Sequence, residues 1–207
     1  WYELVACILG SRVRFENAGV AASRLRDAGI LDALLIDRHG EDLEELVAVT
    51  LSRRDDAGQS AHYPFPRSRA RYICRTAEVI YHRGGSLASI LRACRDGRDA
   101  RARLADRCLG IGPKQASLFL RNIGYSSELA ILDTHVLQFM SRTGLMPDRC
   151  LTVPSLAGYE RVEGVLGSYA RGVGVSVGVL DIAIWVVMRT AQKEFSQHLT
   201  RSPKPKQ

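Results

Sequence analysis

The chain has 207 residues, 46% of them apolar and 25% charged, with a formal net charge of +7 and a pI near 9.4. That length can bury a sizeable core, as one globular unit or two closely packed lobes, and no run is long and apolar enough to span a bilayer. The cationic excess, mostly Arg, favours a polyanionic partner because guanidinium forks grip phosphate oxygens in pairs, although GC-rich coding also raises Arg content. No signal peptide is seen at Trp1, so a cytoplasmic, nucleoid-associated location is expected. Cys7, Cys74, Cys94, Cys108 and Cys150 are odd in number and scattered without a C-x-x-C pair, which argues against a disulfide framework and against a zinc site.

Tyr2 to Leu9 reads as a short apolar helix, interrupted by Gly10-Ser11-Arg12-Val13, and Phe15 to Ala28 as a second that stops at Gly29. Two short helices are expected over Ile30 to Ile36 and Asp42 to Leu51, the second with an acidic face of Glu41, Asp42, Glu44 and Glu45. Residues 52–66 read as a loop, because Arg53 to Ser60 is polar and Tyr63-Pro64-Phe65-Pro66 cannot be helical; His62 and Tyr63 are given turn or core roles. Arg67 to His82 is amphipathic, with Ala70, Ile73, Cys74, Ala77 and Ile80 on one side and Arg67, Arg69, Arg71 and Arg75 elsewhere. Ser86 caps a following helix in which Ile90 and Leu91 pack, and Asp96 to Asp99 reads as a charged turn. Arg101 to Cys108 is then a helix with Leu104 and Cys108 inward.

Leu109-Gly110-Ile111-Gly112 reads as a tight turn into a helix that opens at Lys114. Its two glycines allow backbone angles that a side chain forbids, so a phosphate can approach the N–H groups at the helix start. Nineteen positions after Lys114 comes Asp133, the expected first residue of another helix, preceded by the apolar run Leu129-Ala130-Ile131-Leu132 and followed by Thr134 and His135. A lysine and a carboxylate are thus each delivered by a helix start. Met146-Pro147-Asp148 is a break and Val153-Pro154 starts a helix through Tyr169. Val173 to Met188 reads as a buried helix preceded by a turn, with the final helix spanning Val179 to Phe195. Asp181 in that apolar stretch needs a partner or a function, while Trp185 suits either core packing or a pocket wall. The ending Pro203-Lys204-Pro205-Lys206-Gln207 is too polar and proline-rich to pack, so 201–207 is expected to be a flexible tail.

GIGPKQA from Gly110, followed by ILDTHV from Ile131, resembles the helix-hairpin-helix superfamily of base-excision DNA glycosylases, in particular the bifunctional 8-oxoguanine glycosylases of archaeal type. Every fixed position of the family pattern G-[IV]-G-x-K-x-A and [VL]-D-x-H-V is present. The resemblance implies an all-α, two-lobed helix-hairpin-helix (HhH-GPD) glycosylase fold over 1–200, with the hairpin at 101–123, the active site in the cleft between lobes, and a monomeric enzyme. It implies a DNA glycosylase with abasic-site lyase activity in which Lys114 is the nucleophile, forming a Schiff base, and Asp133 the assisting carboxylate. An attacking lysine must be neutral, a form favoured by burial at the positive end of a helix. The implied partner is double-stranded DNA with a flipped modified purine, gripped by Gly110, Ile111, Gly112 and His135. Where many relatives read S-x-Q-x in the first interhelical loop, this chain has Arg12, the implied side chain for the gap left by the flipped nucleotide or for a contact to the orphaned base on the opposite strand. The spacing L-D-x-x-x-W resembles the pocket in which an aspartate, here Asp181, arranges the site and a tryptophan, here Trp185, stacks on the base.

Some branches of the superfamily carry a four-cysteine iron-sulfur loop; nothing after Cys150 supplies those cysteines, so no cluster, cofactor or side-chain metal site is expected. Relatives hold a monovalent cation on hairpin carbonyls, which the resemblance places near Cys108 and Ile111. One departure concerns the base: archaeal-type chains end soon after the tryptophan on a recognition lysine, whereas 22 residues follow Trp185 here. Two alternatives stay open, an enzyme acting on another modified base such as a deazaguanine in anti-phage defence, and a DNA-binding module without chemistry.

Overall fold

The computed structural model describes residues 1–53, 63–147, 153 and 155–201, with 33–41 and 193–201 described by backbone alone. His62, Cys150, Pro154 and residues 202–207 of the expected tail therefore lie outside the described residues. Among the described residues every regular element is a helix, and the chain divides into two compact units, Trp1–Ser126 and Ser127–Gln207.

The first unit contains α1 (Tyr2–Leu9), α2 (Phe15–Asp27), α3 (Ala33–Ser52), α4 (Pro66–Tyr81), a 3-10 turn (His82–Gly84), α5 (Leu87–Arg92), α6 (Gly97–Arg107) and α7 (Pro113–Asn122). Eight residues are too few for a helix to stand alone in water, so α1 exists because of what surrounds it. Leu4, Val5, Ile8 and Leu9 are fully buried against α2, α4 and α7, each burial contributing about 1.5–3 kcal/mol.

Three features differ from the sequence reading. The two short helices expected over 30–36 and 42–51 are one helix, α3: Gly40 costs only about 1 kcal/mol inside a helix, and packing of the later half along α4 offsets it. Asp96 to Asp99 is not a turn but the start of α6, because the Asp96 carboxylate accepts the Asp99 N–H at 2.9 Å and caps the helix four residues earlier than expected. Arg69, placed away from the apolar side of α4, is buried, its guanidinium lying over the rings of Phe65 and Tyr72.

The second unit contains α8 (Thr134–Arg142), α9 (Leu156–Gly172) and α10 (Val177–Arg201) around a core that includes Leu132, Leu137, Met140, Tyr159, Leu166, Ile184 and Met188. α9 begins behind Ser155, whose hydroxyl accepts the Gly158 N–H, rather than at Val153-Pro154. Over residues 177–192, where its side chains are described, α10 is buried on one side only: Val177, Asp181, Ile184 and Met188 face the core while Val179, Ile182, Val186 and Val187 are exposed. The apolar run from Val173 to Met188 thus overstates its burial. No single helix among the described residues is long and apolar enough to cross a membrane.

Candidate active site

Lys114 is the second residue of α7, after Pro113, with Gly112 as the N-cap. Proline fits there because its missing N–H is one that the first turn leaves unpaired anyway. The turn before it is locked at Gly110, whose φ of +80° favours glycine and whose added Cβ would lie 2.7 Å from the Tyr72 ring. Gly112 differs from the expectation: its φ of −89° is ordinary, and what glycine supplies there is open space, with nothing within 4 Å of a Cβ. The exposed Gly112 and the first N–H groups of α7 leave room for a phosphate. Ile111 is buried beneath the turn, and the buried Arg101 of α6 ties the hairpin together by donating to the Ser117 hydroxyl at 3.4 Å. The Cys108 carbonyl accepts the Ile111 N–H at 3.2 Å and keeps a second lone pair.

Lys114 is half-buried, and its Nζ lies 3.4 Å from Oε1 of the buried Gln115. The Gln115 amide in turn donates to the Cys7 carbonyl at 2.8 Å, connecting the lysine to the end of α1. Burial pushes the Cys7 thiol up to about 12, Glu3 adding to the shift and Lys114 opposing it, so near neutrality it is no rival nucleophile.

Two more side chains hold the chain that follows. The buried Tyr63 hydroxyl donates to the Leu9 carbonyl at 2.8 Å, and Arg69 Nη2 donates to the Ser11 carbonyl at 2.8 Å. Burial raises the Tyr63 phenol to about 12, against the pull of Arg69, which keeps it a donor. Directly after these anchors the exposed Arg12 sits at φ +63°, a left-handed conformation that costs a non-glycine residue about 1–2 kcal/mol. Strain of that kind persists where surrounding bonds enforce it.

In the second unit Asp133 is the N-cap of α8 rather than its first residue: Oδ1 accepts the Val136 N–H at 2.9 Å, and the half-buried carboxylate keeps Oδ2 for other work. His135 packs edge-on to Trp185, ring centroids 6.4 Å apart, and its Nδ1 is buried without a hydrogen-bond partner in the structure. Trp185 is half-buried, and the Arg189 guanidinium lies 4.7 Å from its ring centre. Asp181 is buried and one carboxylate oxygen accepts the Ile131 N–H at 2.6 Å, which supplies the partner its apolar surroundings demand. The structure thus groups Lys114, Gly110, Ile111, Gly112 and Arg12 in the first unit, and Asp133, His135, Asp181 and Trp185 in the second.

Gln115, Arg69 and Arg189 were missed as site residues, while Tyr63 takes the core role expected of it. Arg189 alone had a sequence signal, standing four residues after Trp185 on one helix face. Cys7, Cys74, Cys94 and Cys108 are free thiols, and no group of three metal-ligating side chains occurs among the described residues.

The sequence matches the family model described as 8-oxoguanine DNA glycosylase over residues 1–175. It is 39% identical over 129 residues to an 8-oxoguanine DNA glycosylase/AP lyase of Saccharolobus solfataricus, covering 61% of this chain and 60% of that relative's own length. With the enzyme of the same name from Metallosphaera sedula it shares 35% identity over 187 residues, 89% of this chain and 80% of that one. Among solved structures, the 8-oxoguanine DNA glycosylase of Thermotoga maritima superposes with a TM-score of 0.66 at 28% identity, covering 90% of this chain and 77% of that chain. The Methanocaldococcus jannaschii 8-oxoguanine glycosylase/lyase, solved with a 15mer DNA containing 8-oxoguanine, gives 0.66 at 27% identity over 90% and 78%.

Proposed function

The chain belongs to the 8-oxoguanine DNA glycosylase family, and from that premise we propose that it excises 8-oxoguanine or a related damaged purine from double-stranded DNA and nicks the abasic strand. C1′ of a stacked nucleotide is out of reach, so the target is extruded at an unstacking cost of a few kcal/mol. The Gly110–Gly112 turn and His135 take backbone phosphates, Arg12 enters the vacated gap, and Trp185 stacks on the extruded base while Asp181 orders the wall beside it. The Cys108 and Ile111 carbonyls would hold a monovalent cation that neutralises phosphate charge. The route needs no other cofactor and no second subunit, and a DNA substrate implies action in the nucleoid-bearing cytoplasm.

Chemistry follows from one amine and one carboxylate. Lys114 Nζ attacks C1′, the bond to the base breaks, and its electron pair leaves with the base, which picks up a proton. The Asp133 carboxylate stabilises the positive charge developing on the sugar and accepts the amine's proton. Asp133 returns that proton to the ring oxygen, which departs from C1′ as a hydroxyl and leaves a protonated imine between Lys114 and the open sugar. Loss of a C2′ proton expels the 3′ phosphate, which is the nick.

The observation that carries this reading is a half-buried lysine at the second position of the hairpin's α7, paired in sequence with a carboxylate that caps α8. Duplexes with 8-oxoguanine opposite each of the four bases, beside an undamaged duplex and a deazaguanine duplex, test it. Excision and nicking of the 8-oxoguanine strand are expected; cleavage confined to the deazaguanine duplex would overturn the substrate, and no cleavage of any duplex the activity.

A further inference from the structure

We propose that Tyr159, Glu163 and Asp181 are positioning residues, a three-point brace that fixes the Asp133 carboxylate; this rests on the catalytic reading of Asp133. The chain leading into Asp133 is buried at Leu129, Ala130, Ile131 and Leu132 yet belongs to no helix or strand. Buried backbone N–H groups must be paired, and here no neighbouring strand pairs them. Side chains do it, one for each consecutive residue. Ala130 N–H donates to Glu163 Oε1 at 2.9 Å, Ile131 N–H to Asp181 Oδ2 at 2.6 Å, and Leu132 N–H to the Tyr159 hydroxyl at 3.0 Å. The same hydroxyl donates to the Ala130 carbonyl at 2.9 Å. Glu163 and Tyr159 come from α9 and Asp181 from α10, and all three are buried. The series continues without a gap, since Asp133 N–H donates to the Ile131 carbonyl at 2.8 Å and Asp133 Oδ1 takes the Val136 N–H.

Taking two carboxylates out of water into a core is costly, so filling a loop is a poor reason for them. Carboxylates accept N–H bonds more strongly than neutral oxygens, and these two act on a segment that ends in the residue needing sub-ångström placement. A group mispositioned by about 1 Å costs roughly a hundredfold in rate, so removing the two of the brace's four bonds that the Tyr159 hydroxyl makes, and with them part of that restraint, is expected to cost about tenfold.

Tyr159→Phe removes only a hydroxyl and tests the brace without emptying the core. Single-turnover excision on an 8-oxoguanine duplex should fall by about tenfold while affinity for that duplex stays within about twofold, and in an Asp133→Asn background the added substitution should cost nothing further. Equal loss in both backgrounds, or an unchanged rate in Tyr159→Phe, would overturn the brace while leaving Asp133 catalytic. A wild-type rate in Asp133→Asn alone would remove the catalytic reading and the brace with it. If circular dichroism shows Tyr159→Phe unfolded, Glu163→Gln gives a milder comparison: it keeps the acceptor for the Ala130 N–H and loses only the charge, so a fall of about threefold is expected, absent in the Asp133→Asn background, and an unchanged rate or an equal fall in both backgrounds would overturn the brace.

Discussion

Replacing Arg12 by glycine should separate stability from function at the α1–α2 turn. Arg12 has a φ of +63°, and its neighbours are held from outside by Tyr63 on the Leu9 carbonyl and Arg69 on the Ser11 carbonyl. Left-handed backbone costs an L residue about 1–2 kcal/mol, while glycine loses about 0.5–1 kcal/mol more backbone entropy on folding, so the net gain for Arg12→Gly is about 0–1.5 kcal/mol. Tm by far-UV circular dichroism should therefore stay level or rise by up to about 6 °C, because 1 kcal/mol corresponds to about 2–4 °C at this chain length. The side chain that fills the gap is lost, so excision from duplex should fall by about tenfold or more, given about 1–3 kcal/mol for a contact that opposes restacking. Arg12→Ala, which keeps the strain and loses the same side chain, should match that fall with no gain in Tm. A glycine variant that is more stable and fully active would refute the reasoning, for the strain would then serve nothing.

Asp133→Asn keeps an equally good N-cap, so Tm should hold while excision drops by about a hundredfold or more and duplex affinity changes little; equal loss of rate and binding would count against a chemical role. Trp185→Ala should weaken binding of a lesion duplex by about 1–3 kcal/mol and leave undamaged duplex alone, whereas uniform loss would indicate a disturbed core. Cys7 gives a pH test of folding. Its thiol stands at about 12 in the folded chain against an ordinary 9.0, so stability is intact below 9 and is lost as pH rises toward 12, the unfolded thiol ionising while the folded one does not. The unfolding free energy from urea titrations should fall between pH 9 and 11 with a slope approaching about 1.4 kcal/mol per pH unit from this group, and Cys7→Ala should flatten the fall; a level free energy in the wild type would contradict the burial argument.

What was legible in the sequence was local. The turn at Gly110 and the starts of α7 and α8 announce themselves because their glycine, proline and aspartate act on backbone within four residues. Asp96 uses the same chemistry but was hidden in a run of charge. The supports were hidden for another reason: Gln115 bonds a carbonyl 108 residues away, Arg69 one 58 away, and Glu163 an amide 33 away. A polar side chain whose partner is distant backbone has no short-range pattern, so Arg69 read as surface. Asp181 stood out through its apolar neighbours and the L-D-x-x-x-W resemblance, but its partner, the Ile131 amide, lies 50 residues away and left no local pattern.

The central claim is that Lys114 becomes covalently attached to the sugar. Borohydride added during turnover on an 8-oxoguanine duplex reduces an imine to a stable amine, so denaturing gels should show a protein-DNA adduct that Lys114→Gln abolishes, with mass spectrometry placing the sugar remnant on Lys114. Excision without any trapped adduct, or an adduct of undiminished yield in Lys114→Gln, would contradict it.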